Sequence, residues 1–151
     1  MNLKRNYIKF LVIFALLVIV FVLLSLFWHS KREEEVFLGG KTFSMEIADT
    51  DLLREHGLSG HKPLSDRQGM IFIFNKPDLY GFWMKDMLFP LDIIWLDENF
   101  KINHIEKSVL PETYPKVFYP EEKSLYVLEV SAGSMDSLGV KVGDYVRYVK
   151  N

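Results

Sequence analysis

Lys85, Asp86 and Asp92 stand in a run that is otherwise almost wholly apolar, from Gly81 to Leu96. Moving a polar group out of water without a partner costs on the order of 2–7 kcal/mol, and an unpaired charge costs more. Such residues persist where they pair, reach water or carry chemistry. Glu129 repeats the pattern inside Leu125–Val130. Alternate residues of a strand share a face. Trp83 therefore goes with Lys85, Asp92 with Ile94 and Leu96, and Glu129 with Leu125 and Val127. Three apolar strands each carry one ionisable group. Read functionally, Trp83, Lys85, Asp92 and Glu129 converge in a polar pocket, able to hold a small polar ligand or to do acid–base work. Read structurally, Lys85 pairs with Asp92 across a strand connection, and Glu129 caps backbone amides of the Gly139–Asp144 turn.

Other chemistries find less footing. The chain has no cysteine, which excludes disulfides, thiolate nucleophiles and Cys-ligated zinc. The four histidines, 29, 56, 61 and 104, make no His-x-x-x-His pair, and no Asp-x-Asp-x-Asp-Gly loop exists, so no metal and no cofactor is expected. There is no Gly-x-Ser-x-Gly and no glycine-rich phosphate loop. Residues 1–35 hold five of the 18 basic and three of the 20 acidic residues; the remainder is left with 13 basic and 17 acidic. A mildly acidic domain without a basic stripe is not expected to bind nucleic acid. Residues 110–123 contain three prolines and read as a long loop. Its aromatics Tyr114, Phe118 and Tyr119 form a second candidate binding surface, with a lid over the core as the plain alternative.

The elements that must position these residues begin with Phe10–Trp28, 19 residues without a charge. As a helix this run is about 28 Å long, close to the roughly 30 Å hydrocarbon core of a bilayer. Lys4, Arg5 and Lys9 precede it. The expectation is a cytoplasmic N-terminus (residues 1–9), an uncleaved membrane anchor (10–28) and a C-terminal domain outside the cytoplasm. A cleaved signal peptide fits less well, because no small-x-small site follows the run. Residues 29–40, charged and ending in Gly39-Gly40, read as a linker. From 41 to 151 the pattern is β. Strands are predicted at Thr42–Ala48, Gly69–Phe74, Gly81–Lys85, Leu91–Leu96, Lys101–Val109, Leu125–Val130 and Tyr145–Val149. Two short helices are predicted, one capped by Asp49 or Thr50 and stopped by Gly57, the other capped by Ser134 and stopped by Gly139. The expected fold is mainly β, a single sandwich or small barrel-like domain.

The order of blocks resembles the family called domain of unknown function 192. It rests on Arg54-Glu-His-Gly-Leu58, Gly69-Met-Ile-Phe-Ile-Phe74, Phe82-Trp-Met-Lys85, Pro90-Leu-Asp-Ile-Ile94, Tyr126-Val-Leu-Glu129 with Gly133, and Gly139-Val-Lys-Val-Gly-Asp144. The resemblance covers about Phe43 to Val149. It implies a mainly β fold, often behind an export signal or anchor, and implies no activity. Two positions depart from the family pattern: Asp86 stands where Asn is usual, and Ser59-Gly60-His61 where an apolar pair and Arg are usual. The expected function is a binding or interaction module of the cell envelope, with ligand and partner protein unspecified. The alternative is a hydrolase-like enzyme using Asp92 or Glu129 as base and Lys85 as electrostatic stabiliser.

Overall fold

The computed structural model describes residues 2–28 and 33–149, with side chains of the first helix described for 7–22 only. Two units, residues 1–31 and 32–151, are each compact by themselves.

The first unit is helix α1 (Asn2–Trp28). Its described side chains, Tyr7 to Val22, are all exposed. Among the described residues no helix is long and apolar enough to cross a membrane. The end of the expected anchor, and His29 to Arg32 after it, fall outside the described side chains.

The second unit begins with β1 (Glu33–Leu38) and β2 (Lys41–Ala48), followed by α2 (Asp51–His56), β3 (Gln68–Asp78) and β4 (Phe82–Trp83). Then come β5 (Leu91–Leu96), β6 (Ile102–Val109), β7 (Val117–Phe118), β8 (Ser124–Ser131), α3 (Ser134–Leu138) and β9 (Arg147–Val149). Seven strands make one mixed sheet in the order β6-β5-β8-β3-β2-β1-β9, and β4 pairs with β7 separately. Only β2 and β3 run parallel. A bridge between Lys101 and Tyr145 links the two outer ends of the sheet, reinforced by Ile102 N–H donating to Asp144 C=O and Val146 N–H donating to Phe100 C=O. The expected sandwich is corrected: the described strands form one large sheet, because β8 inserts between β3 and β5 and joins the two halves in one ladder, and only the two-residue β4 and β7 leave it. The reading of residues 29–40 as linker is also revised over its described part, 33–40. Val36 and Leu38 alternate inward as a strand, and Gly39 and Gly40, at φ 55 and 80, form the two-residue hairpin turn that leads into β2.

Apolar side chains cover both faces of the central strands. On one face Phe43, Met45, Ile71, Ile94, Leu96, Leu128 and Val130 form a core with Met135 and Val140. On the other Met70, Phe72, Ile93, Trp95 and Val127 pack against Leu58, Phe82, Met84, Met87, Phe89 and Phe118. Period-two alternation sorts β3, β5 and β8 between the cores, and β5 is buried at every position. Thr50 Oγ1 accepts from Leu53 N–H at the start of α2, and Gly57 at φ 51 ends it. The second helix differs from expectation. Ser134 donates its hydroxyl to Ser131 C=O, so its first turn is capped from elsewhere.

Candidate functional site

Asp92 and Glu129 lie on adjacent strands one register step apart. Asp92 pairs with Val130 and Ile93 with Glu129. Cross-strand partners share a face, so Asp92 goes to the core of Ile94 and Val130, while Glu129 goes to the opposite face with Met70 and Ile93. The expected convergence of Lys85, Asp92 and Glu129 in one pocket is corrected: β5 and β8 alternate in register, and the two carboxyls point through opposite sides of the sheet.

Asp92 is fully buried (0 % exposed) and is satisfied by backbone. Oδ1 accepts from Ser108 N–H at 2.8 Å and Gly133 N–H at 3.2 Å, and Oδ2 accepts from Met135 N–H at 2.9 Å. The Ser108 donor exists because β6 carries an extra residue there: register shifts between Leu91↔Val109 and Ile93↔Glu106, a bulge with Ser108 at φ 50. The carboxylate caps the first turn of α3, where negative charge is favoured. Asp92 thus does the capping that the sequence reading gave to Ser134. The Gly139–Asp144 turn, read as capped by Glu129, is closed instead by Asp144 Oδ2, which accepts from Lys141 N–H. Lys85 is exposed; its backbone carbonyl accepts from Ser59 Oγ at 2.9 Å. The expected Lys85–Asp92 pair is therefore replaced by Asp92 on three amides.

Glu129 lies at the base of a cleft of roughly 220 Å³ whose lining includes Trp83. It is 4 % exposed, and its Oε2 has no hydrogen-bond partner. Burial pushes its carboxyl up from 4.5 to about 8, because loss of hydration penalises the anion. One wall is α2 and the residues after it, Arg54 to Ser59; the other is Tyr80 to Trp83; Phe72, Phe74 and Met87 complete the lining with Glu129. The walls are held in place. Arg54 donates from Nη1 to Ile73 C=O and from Nη2 to Asp51 Oδ1, both at 2.6 Å, with its guanidinium 5.2 Å from the Phe74 ring centre. Tyr80 stacks on Phe74 at 3.5 Å between ring centres and donates its hydroxyl to Lys76 C=O. Trp95 Nε1 donates to Tyr80 C=O at 2.8 Å. Phe82 sits edge-on to both Phe72 and Trp95. Gly60 N–H donates to Asp86 C=O at 2.9 Å, joining the two walls. Asp86 adopts φ 56, a left-handed conformation that Asn and Asp tolerate best, so Asp86 retains the backbone fitness of the Asn usual in the family.

Of the loop aromatics, Phe118 is buried, pairs with Phe82 and belongs to the second core. Its place on an exposed binding loop is corrected, because β7 turns it inward against β4. Tyr114 and Tyr119 are exposed. Tyr119 lies against the lip of the cleft: a Cβ on Gly81 would meet its ring at 2.6 Å. Sequence reasoning found Trp83 and Glu129 and missed Arg54, His56, Phe74 and Tyr80. The Arg54–Leu58 block, whose Gly57 lets the chain turn over Phe72, was the available signal. Among the described residues no cluster of three or more His, Asp or Glu could hold a metal ion.

None of the curated proteins matches this chain. Solved structures do. A protein of Sinorhizobium meliloti 1021, named as a candidate transcription regulator, is 29 % identical with TM-score 0.73, over 79 % of this chain and 95 % of its own. A protein of unknown function from Novosphingobium aromaticivorans DSM 12444 is 32 % identical with TM-score 0.71, over 78 % of this chain and 84 % of its own. The family model for DUF192, described as an uncharacterized ACR, matches residues 34–148. The match spans most of the chain and takes in all six sequence blocks, and the chain belongs to the DUF192 family.

Proposed function

We propose that this chain is a membrane-anchored, extracytoplasmic binding module that takes a small ligand, or a projecting group of a larger one, into the Trp83–Glu129 cleft. The observation that carries this reading is Glu129: a carboxyl 4 % exposed, with an unpartnered oxygen, in the lining of an open cleft. Leaving such a group unsatisfied costs about 1–3 kcal/mol, and a bound donor removes that cost. The cleft is smaller than the roughly 300–1,000 Å³ of sites for drug-sized molecules, which favours one small group. Trp83, 45 % exposed at the mouth, offers an apolar contact. Tyr119 beside Gly81 extends the same surface.

The anchor is supported by the charge-free run Phe10–Trp28, and a cytoplasmic N-terminus by Lys4, Arg5 and Lys9 before it. The Lys101–Tyr145 bridge supports a barrel-like closure of the sheet. The hydrolytic alternative loses its chemistry: Asp92 faces the other core with both oxygens engaged, and Lys85 is not among the cleft residues. The regulator name of the Sinorhizobium relative is not carried over, since an acid excess from residue 36 onward opposes DNA binding. A small-molecule fragment screen read by ligand-observed NMR tests the cleft. Hits that disappear with Trp83→Ala are expected; hits indifferent to Trp83→Ala, or none, overturn the reading.

A further inference from the structure

The polar side chains lining the cleft are unequal. Ser59 Oγ donates to Lys85 C=O, Tyr80 Oη donates to Lys76 C=O, and Arg54 is held by Ile73 C=O and Asp51. Glu129 Oε2 is left over. A ligand must therefore bring a hydrogen-bond donor to the floor. The walls bring aromatic surface: Phe72, Phe74, Tyr80, Phe82 and Trp83. Ring faces attract cations, and desolvation strengthens the attraction. A neutral donor would use the carboxyl and gain little from the rings. A cation uses both.

We propose that the cleft takes a primary ammonium group on a short apolar stem, the ammonium seated on Glu129 and the stem among the aromatic walls. The proposal rests on the reading of this cleft as a binding site and names its ligand class. Three N–H donors on the ammonium suit an acceptor that lacks any. The charges around the cleft permit a cation. Arg54 is neutralised by Asp51 at 2.6 Å, and α2 also brings Glu55 and His56 to the lining. Facing Glu129 from β3 and β5 are Met70 and Ile93, neither ionisable. Tyr80, which also lines the cleft, has its hydroxyl pKa raised, first by burial and then by Asp78, with Arg54 opposing, and so stays neutral. Burial keeps Glu129 protonated at neutral pH. Binding then releases one proton: the ammonium keeps its three, the carboxylic acid gives its own to solvent, and an ammonium–carboxylate pair remains.

Calorimetric titration of the full chain, in uncharged detergent at pH 6.5, tests this with n-butylammonium and its neutral counterpart 1-butanol. The expected result is at least tenfold tighter binding of n-butylammonium, with close to one proton released per ligand when two buffers of different ionisation enthalpy are compared. Glu129→Gln should abolish the preference, and thermal unfolding of the variant reports that it is folded. Equal binding of the two probes, lost in Trp83→Ala, overturns the ammonium class and leaves the cleft standing. A preference that survives Glu129→Gln also overturns it. No binding of n-butylammonium overturns it too, while a fragment screen with no Trp83-dependent hit overturns the cleft itself. A peptide lysine and an aminolipid headgroup both carry the group; tighter binding of Nα-acetyl-lysine amide or of phosphoethanolamine tells which source the cleft prefers.

Discussion

Asp92 and Glu129 are both buried carboxyls, yet they have opposite fates. Asp92 meets three backbone N–H donors and is held by them. Hydrogen bonds to a charged group are worth about 1.5–3 kcal/mol each way of counting. Asp92→Asn presents an N–H to at least one of those donors and should cost about 3 kcal/mol in denaturant unfolding. Lys85→Met, at an exposed position without a charged partner among the described residues, should stay within about 0.5 kcal/mol, and the double variant should be additive. A recovery in the double variant would restore the ion pair read from sequence. Glu129 has the reverse linkage. Its folded pKa, about 8, lies above the unfolded 4.5. Between those values the folded state binds the extra proton, so stability falls as pH rises from about 4.5 to about 8 and levels off above. The slope from this group is at most about 1.4 kcal/mol per pH unit. Glu129→Gln should flatten that slope and be more stable than the native chain at pH 9. The composition of the run flagged both carboxyls. Which one found donors depended on a bulge at Ser108 and a helix start at Gly133, and neither is visible in the spacing of residues.

At the scale of elements, alternation did most of the sorting. Phe43, Met45 and Ile47 face one core as the period predicts, and Asp92 shares the face of Ile94 and Leu96. Register between strands was not legible, and register decides that Ile93, rather than Asp92, stands opposite Glu129. The strand expected at Gly81–Lys85 shrinks to Phe82–Trp83 because it leaves the large sheet to pair with β7. The proline-rich loop read over 110–123 contains that partner, whose two residues are too few for any period. Gly69 shows how closely β3 and β8 approach: a Cβ there would lie 2.5 Å from the Glu129 carbonyl oxygen and 2.9 Å from the Met45 side chain. Gly69→Ala must push β8 away, and Glu129 with it. It should cost several kcal/mol by thermal unfolding, near the top of the range for single substitutions. A loss below about 1 kcal/mol would mean that the two strands can move apart without penalty.

For the whole molecule, one large sheet with apolar cover on both faces leaves little room for a polar group, and the cleft is where that cover stops. Leu58, Phe72 and Phe82 close the second core around Trp95, while Trp83, adjacent in sequence to Phe82, faces outward. Family resemblance made a mainly β domain and its extent legible in advance, as the matched span of 34–148 agrees, but not the single mixed sheet. The cleft was half legible, because α2 contributes a wall from more than seventy residues before Glu129. If α1 anchors the chain, the full protein should sediment with membranes and resist extraction by high salt, and removal of residues 1–31 should release it; salt extraction of the full chain would contradict anchoring. The central claim is that Glu129 is an isolated carboxyl waiting at the floor of an open cleft. The direct measurement is a pH titration of its side-chain carboxyl by 13C NMR. A midpoint near 8 is expected, falling when n-butylammonium is added. A midpoint near the ordinary 4.5, unmoved by the amine, would mean that Glu129 is solvated or already paired, and would contradict the claim.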